Sequence, residues 1–377
     1  MAEMPVKQNT DDEIDLFDLV DDVVDKWYWL VGTLFLGVVL AALYAFTAVP
    51  VFKTQAVITK SSPSDLLPFS QPALQTSIKL VRSEDNKSGA EVQISDEAVF
   101  EISNITAFSG ARAVLRSVAS RRAFYEELLS VVDSETRTLL YNESLTEEQN
   151  LSRFLARFSF IDPSGKNNQD IYVQVAFELA ADPMAARDIL NSYVDFSLNL
   201  YNAQVKSELE RKVDAELKLN RGWADNFRTI YESEKLRRIA LLEEAAAVAT
   251  SIGQEKPFYN TNDVVVSSEP PLYMMGQQAL QKEAEQLRTR AESGREDLFI
   301  EGLPVIESYI ASLESVSIDW DSVQMVEIDQ PALLPIKAVK PKKLLIVALG
   351  GVGGFMLGLL AALLAAASGR HKRRSER

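Results

Sequence analysis

MAARDILNSYVDFSLNLYNAQVKSELERKVDAELKLNRGWADNFRTIYESEKLRRIALLEEAAAVATSIGQEK, residues 184–256, contains no proline, and only Gly222 and Gly253 interrupt it. Ile189, Tyr193, Phe196 and Leu200, then Leu209, Val213 and Leu217, then Trp223, Phe227 and Ile230, step by three or four. That period keeps apolar side chains on one side of an α-helix. The stretch predicts a single helix of about 65–70 residues, roughly 100 Å long at 1.5 Å per residue. A helix so long and so narrowly apolar implies a coiled-coil-like seam, against its own chain or a neighbour. Its candidate residues are Leu209, Val213, Leu217, Phe227 and Ile230. The alternative is a helical hairpin broken near Gly222, but Arg221 and Trp223 beside it are not turn residues.

Outward from this helix, three segments read as strands. Val51–Thr59 (VFKTQAVIT) and Ile171–Leu179 (IYVQVAFEL) alternate and are rich in β-branched residues, and Ser322–Ile328 (SVQMVEI) is a third candidate. They most simply pair into one sheet. Ser61–Gln75, rich in Ser and Pro, reads as loop, and Asp96–Arg157 carries several short helical patterns. After Lys256 comes an irregular, Pro-containing piece, then two helical patterns, GQQALQKEAEQLRTRAE and PVIESYIASLES. These are expected to bring the chain back along the long helix.

Two blocks stand apart in composition. Trp27–Val49 and Leu344–Ala367 carry no charge. At about 23 and 24 residues, each can cross a hydrocarbon core of roughly 30 Å. The first is too long for a signal-peptide core and lacks a basic segment before it. Two spans put both termini on one side and residues 50–343 on the other. Lysines and arginines flank both spans nearly evenly, so charge bias alone does not choose the side. Long loops translocate largely regardless of charge, and the tails are short, which favours cytoplasmic termini and an exported domain. Before the first span, Asp11–Lys26 (DDEIDLFDLVDDVVDK) places Leu16, Val20 and Val23 at helical spacing with acids opposite, and Trp27, Tyr28 and Trp29 form an interfacial aromatic belt. Before the second, QPALLPIKAVKPKK (Gln330–Lys343) sets Pro331, Pro335, Pro341 and Lys342 in a stiff, basic approach to the bilayer.

Within the second span Gly350, Gly354, Gly358 and Ala362 are four apart, a stripe of small residues on one helix face. The first span has a looser one: Thr33, Gly37, Ala41 and Ala45. Such stripes let helix backbones approach closely; whether the partner is the other span or another subunit is not legible here.

Little in the sequence signals chemistry. The chain of 377 residues carries a formal charge of −15, has no cysteine, and has one histidine, His371, in the tail. Ser-His and Cys-His catalysis and His-bearing zinc sites are thereby excluded from the exported part. There is no G-x-x-x-x-G-K-[ST] loop for a nucleotide. The acidic balance argues against a nucleic-acid partner. No catalytic, metal or cofactor residue is assigned and no cofactor is expected. Carboxylate pairs are common enough to arise by chance, so a glycosidase is a weak rival.

The chain resembles the polysaccharide chain-length determinant (Wzz-type) proteins of Gram-negative inner membranes. The resemblance rests on DEIDLFDLVDDVVDKWYWL, on FELAADPMAARDILNSYVDF, on PPLYMMGQQALQKEAEQLRTRAE, and on the proline-rich lead into a glycine-striped span. It implies an α+β fold: two transmembrane helices flanking a periplasmic α/β base with a very long protruding helix. The implied function is control of the length distribution of a lipid-linked polysaccharide such as O-antigen, without catalysis. The implied partners are further copies of the chain, the membrane O-antigen polymerase, the lipid-linked glycan and membrane lipid. A co-polymerase for capsule or exopolysaccharide and a two-span sensor are the alternatives. The expected organisation is a cytoplasmic segment 1–26, a span 27–49, a first base part 50–181, the helical stalk and return 182–320, a base strand and pre-membrane segment 321–343, a span 344–367 and a basic cytoplasmic tail 368–377.

Overall fold

A computed structural model describes residues 25–82, 90–162, 172–257, 271–292 and 294–375. The amphipathic lead-in expected at Asp11–Lys26 lies almost wholly outside them. In chain order the elements are α1 (Trp27–Thr47), β1 (Val51–Lys60), β2 (Ser77–Arg82), β3 (Ala90–Ser95), α2 (Asn104–Arg116), α3 (Val118–Val131), α4 (Ser134–Leu140), α5 (Glu147–Leu155), β4 (Phe158–Ile161), β5 (Tyr172–Ala180), α6 (Pro183–Ser251), α7 (Gln277–Glu292), α8 (Leu303–Glu314), β6 (Val326–Gln330) and α9 (Lys343–Ser375). The expected α+β class, with a very long helix and an apolar helix near each end, is what the structure has. The chain forms two compact units. One takes the residues up to Thr59, Leu115–Ser197 and those from Ile328; the other takes Lys60–Val114 and Leu198–Glu327.

In the first unit the three expected strands share one sheet, with a fourth, β4, that the sequence reading passed over. The order is β4-β5-β1-β6. β1 and β5 are antiparallel, in a register that sets Thr54 opposite Phe177, Ala56 opposite Val175 and Ile58 opposite Val173. All six are buried, as alternation along a pleated strand requires for one covered face. An aromatic cluster covers that face: Phe154 and Phe158 pack on Phe177, and Phe124 and Phe158 pack on Tyr193 of α6. The buried Tyr193 hydroxyl donates to the Leu115 carbonyl at 2.5 Å. Asn150, which opens a glycosylation sequon, is buried and structural. Its side chain accepts from the Asn142 N–H and donates to the Asn142 carbonyl, both at 2.9 Å.

α6 starts and stops for local reasons. Asp182 caps it, its Oδ1 accepting from the N–H groups of Met184 at 2.7 Å and Ala185 at 3.1 Å, while Pro183 supplies a first residue that needs no donor. The helix runs straight through Gly222, so the hairpin alternative fails. It ends where Gly253 turns left-handed, at φ +73°. There the Gly253 N–H reaches the Thr250 carbonyl and the Gln254 N–H reaches Ala249, the paired bonds of a glycine C-cap.

The second unit holds the β2–β3 hairpin, which the sequence reading left unassigned, with Ile78 opposite Ile94. It also holds both expected return helices, as α7 and α8. The third strand falls later than Ser322–Ile328. Asp319 forms a turn, its carbonyl taking the Ser322 N–H and its carboxylate the Asp321 N–H, so extended pairing begins only at Val326. The loop expected at Ser61–Gln75 contains a 3-10 turn at Pro63–Phe69 and a helical turn at Pro72–Gln75.

Candidate functional site

Three groups of residues were singled out from the sequence, and the structure gives each a definite setting. The two apolar helices, at Trp27–Thr47 and Lys343–Ala365, are each long and apolar enough to cross a membrane and are exposed along most of their length. They pack on each other through the small residues. A Cβ placed on Gly37 would stand 2.5 Å from the Gly350 carbonyl oxygen; one on Gly354 would stand 2.6 Å from that of Thr33. Gly350 lies against Ala41, and Gly358 against Thr33 and Leu30. Ala45 and Ala362 are fully buried. The partner of each stripe is thus the other span of the same chain. The Thr33 hydroxyl donates to the Trp29 carbonyl at 2.8 Å, so that hydroxyl is satisfied within its own helix.

The proline-rich segment is tied to the sheet at several points. Asn191 of α6 clamps Ala332, donating to its carbonyl at 3.2 Å and accepting its N–H at 2.8 Å. The Thr54 hydroxyl donates to the Leu333 carbonyl at 2.7 Å. Val51 of β1 donates to Lys340 and accepts from Val339, and Lys340 pairs with Glu178 of β5 at 2.7 Å. Pro331 is exposed, Pro335 and Pro341 are partly covered, and the Lys340–Pro341 peptide is cis. Lys342 is exposed, and the Lys343 ammonium lies 4.5 Å from the Phe46 ring centroid. Ile336 stands 93% exposed between the last two prolines, with Leu333 and Leu334 exposed just before it.

On the long helix, the stretch within the second unit buries Tyr201, Val205, Leu209, Asn220, Ala224, Lys235, Ile239, Leu242, Ala246 and Ala249. Ala224 packs with Ile300, Leu303 and Ile306, flanked by the half-buried Leu217 and Phe227. Leu242, Ala246 and Ala249 pack with Leu280 and Ala284 of α7. Val213 is half-buried. Ile230 departs from its expected place: it is 48% exposed. One residue is a 100° turn of a helix, and Tyr231, its neighbour, faces the packed side instead. Ile230 belongs to a second stripe, Leu219, Ile230, Leu241 and Ile252, all exposed and eleven residues apart. Eleven residues make close to three turns, so these side chains share a face.

Sequence reasoning missed two polar members of the seam. Lys235, buried, bonds Glu296 at 2.6 Å and also pairs with Glu232. Burial alone would lower its pKa, but hydrogen bonds to Glu232 and Glu296 leave it raised. Asn220, fully buried, donates to the Glu216 carbonyl at 2.8 Å. Their one sequence signal is position: both fall on the buried period. Among the described residues no group of three His, Cys, Asp or Glu side chains is placed to hold a metal ion.

The family model Wzz, chain length determinant protein, matches residues 12–125. No curated relative matches the sequence. Among solved structures, a full-length bacterial polysaccharide co-polymerase superposes with a TM-score of 0.57 at 16% identity, covering 96% of this chain and 99% of the other. The wild-type Shigella flexneri lipopolysaccharide O-antigen chain-length regulator WzzBSF gives a TM-score of 0.46 at 15% identity, covering 76% and 99%. A Wzz dodecamer fitted to a cryo-EM map gives 0.41 at 14%, covering 76% and 98%. The family signature in residues 12–125, and a fold shared with a full-length polysaccharide co-polymerase over nearly the whole chain, bear out the resemblance to the chain-length determinant family.

Proposed function

We propose that this protein regulates the chain length of a lipid-linked polysaccharide, O-antigen in the first instance, as a non-catalytic scaffold beside the membrane polymerase. The observation that carries the reading is the family match over residues 12–125, on a chain with the fold of a full-length co-polymerase. In this reading the protein sits in the inner membrane by α1 and α9, with residues 50–343 periplasmic and both termini cytoplasmic. The prolines Pro331, Pro335 and Pro341 hold the base in a fixed attitude to the bilayer, and Lys342 keeps its charge in the headgroup layer. The protein works as a homo-oligomer. The exposed stripe Leu219, Ile230, Leu241 and Ile252 supports this, since a row of large apolar side chains left in water gains by meeting a second copy.

The test is the lipopolysaccharide ladder on a gel after deletion and complementation. Loss of a preferred length, with polymer still made, is the expected result. An unchanged ladder overturns the O-antigen reading. Crosslinking of the full chain in membranes tests the oligomer: Ile230→Ser should lower the yield of higher species, and an unaltered yield would show that the stripe takes no part in assembly.

A further inference from the structure

The first unit carries a cleft that none of the above uses. It has a volume of about 550 Å³ and lies between α3 and the segment Arg137–Leu151, which runs from the end of α4 into α5. Tyr125 lines it and is only 5% exposed, yet its hydroxyl has no hydrogen-bond partner among the described residues. Nearby Arg157 is in the same condition at Nη1, although its Nη2 donates to the Leu139 carbonyl at 2.7 Å. Burial raises the Tyr125 pKa, with Tyr141 adding to the shift, so the phenol keeps its proton as a donor. Buried polar groups in folded chains are seldom left unpaired, and the Tyr125 hydroxyl, on a residue of the cleft wall, is one that is.

The rest of the lining says what kind of ligand could supply its partner. Arg137 faces the cleft together with Glu147 and Glu148, and Arg122 is held by Glu126 at 3.0 Å. Two guanidiniums against three carboxylates give neither an anion nor a cation a site of one sign. They do give alternating donors and acceptors, the pattern that neighbouring hydroxyls of a neutral ligand can satisfy in pairs. Leu129, Leu151 and the tyrosine rings supply an apolar surface between them. A pyranose has this same combination: a face of C–H groups and a rim of hydroxyls. We propose that this cleft binds a neutral saccharide, its ring against Tyr141 and its hydroxyls satisfying Tyr125, Glu147 and Glu148. That the saccharide is part of the regulated polymer rests on the function proposed above; that the cleft takes a sugar does not.

The experiment uses the full chain in lipid nanodiscs and saturation-transfer NMR. The probe is the oligosaccharide freed by mild acid from the producing cell's own surface polysaccharide, and linear sorbitol is the control. Transfer to ring protons is expected, with sorbitol at least roughly tenfold weaker as a competitor, because only a ring offers an apolar face. Tyr141→Ala and Tyr125→Phe should each weaken binding by about tenfold or more. Tyr125→Phe removes only the unpaired hydroxyl, so its thermal midpoint should not fall, which separates lost binding from lost folding. Equal transfer in both variants, equal competition by sorbitol, or no transfer to the unaltered chain overturns the proposal. A ladder that depends on the chain while the cleft variants bind normally sinks the cleft alone. A ladder indifferent to the chain sinks the functional reading and leaves the binding result standing.

Discussion

Where α1 meets α9, the buried and touching positions are Gly37, Ala41, Ala45, Gly350, Gly354, Gly358 and Ala362. Where α6 meets α7 and α8, they include Leu242, Leu280, Leu303, Ile306 and Leu313, with Lys235 set among glutamates. Both are stripes along a helix. In the membrane reading proposed above, they differ because their solvents differ. In lipid a large side chain gains nothing by leaving its surroundings, so association depends on backbones coming close, and only small residues allow that. In water, removing a leucine from solvent is itself the drive, worth roughly 1.5–3 kcal/mol per side chain. Bulk is the obstacle in the first interface and the cohesive element in the second.

Exchanging the two kinds of residue should undo each interface. Gly354→Leu puts bulk where a Cβ alone would meet the Thr33 carbonyl at 2.6 Å. A chain without native cysteine allows a clean readout: Val38→Cys with Gly351→Cys, whose positions face each other, should crosslink on oxidation. Adding Gly354→Leu should cut that crosslink by about tenfold or more. An undiminished yield would show that the glycines are only compositional.

The opposite exchange in the long-helix seam should act through lost burial. Leu242→Ala is expected to cost about 2–5 kcal/mol, seen as a lower thermal midpoint of the full chain in detergent. A neutral effect would mean that α7 does not hold α6 as the packing implies. Alkaline pH should also loosen this region. Burial pushes the Tyr201 phenol up from about 10 to about 12, and a carboxylate nearby, Glu208, adds to the shift. The unfolded chain therefore releases this proton first. Stability is complete below about pH 10 and falls as the pH climbs toward about 12, by roughly 2 kcal/mol for a shift of this size. Tyr201→Phe should remove that part of the decline in a pH series of unfolding midpoints, and an identical decline would exclude the tyrosine.

Lys235→Met leaves Glu296 without its partner and should cost about 1–2 kcal/mol, most of it recovered when Glu296→Gln is added. If the double variant is no better than the single, the ammonium contributes by packing and not by charge. The smallest change in the stability of the single chain is expected for Ile230→Ser, within about 0.5 kcal/mol, because within one chain the side chain is exposed and its loss should fall on assembly instead. A large loss would place Ile230 in the seam after all.

Much of the fold was legible because it is local. A proline-free run with apolar residues every three or four positions can hardly be other than a helix, and Asp182-Pro183 and Gly253 mark its ends by capping chemistry. β1 and β5 were legible because both alternate. The β2–β3 hairpin and β4 were not, since six and four residues carry too little pattern to separate strand from loop. The cleft at Tyr125 was illegible for another reason. Its lining comes from helices whose tyrosines, arginines and glutamates read, singly, as ordinary surface residues.

The chain's own pattern dictates which segments are helical, which two can enter a membrane, and that small residues run along one face of each of those two helices. Those are properties of period, length and composition, and they need no partner to be defined. What the stripes touch is set by the folded chain alone. Gly354 could have met another subunit but meets Thr33, and Ile230 could have lined the seam but lies a 100° turn of a helix away from it. Two apolar stripes so close around one helix satisfy the same periodicity. Which of them is covered depends on where α7 and α8 return, and that is a matter of contacts between segments far apart in the chain.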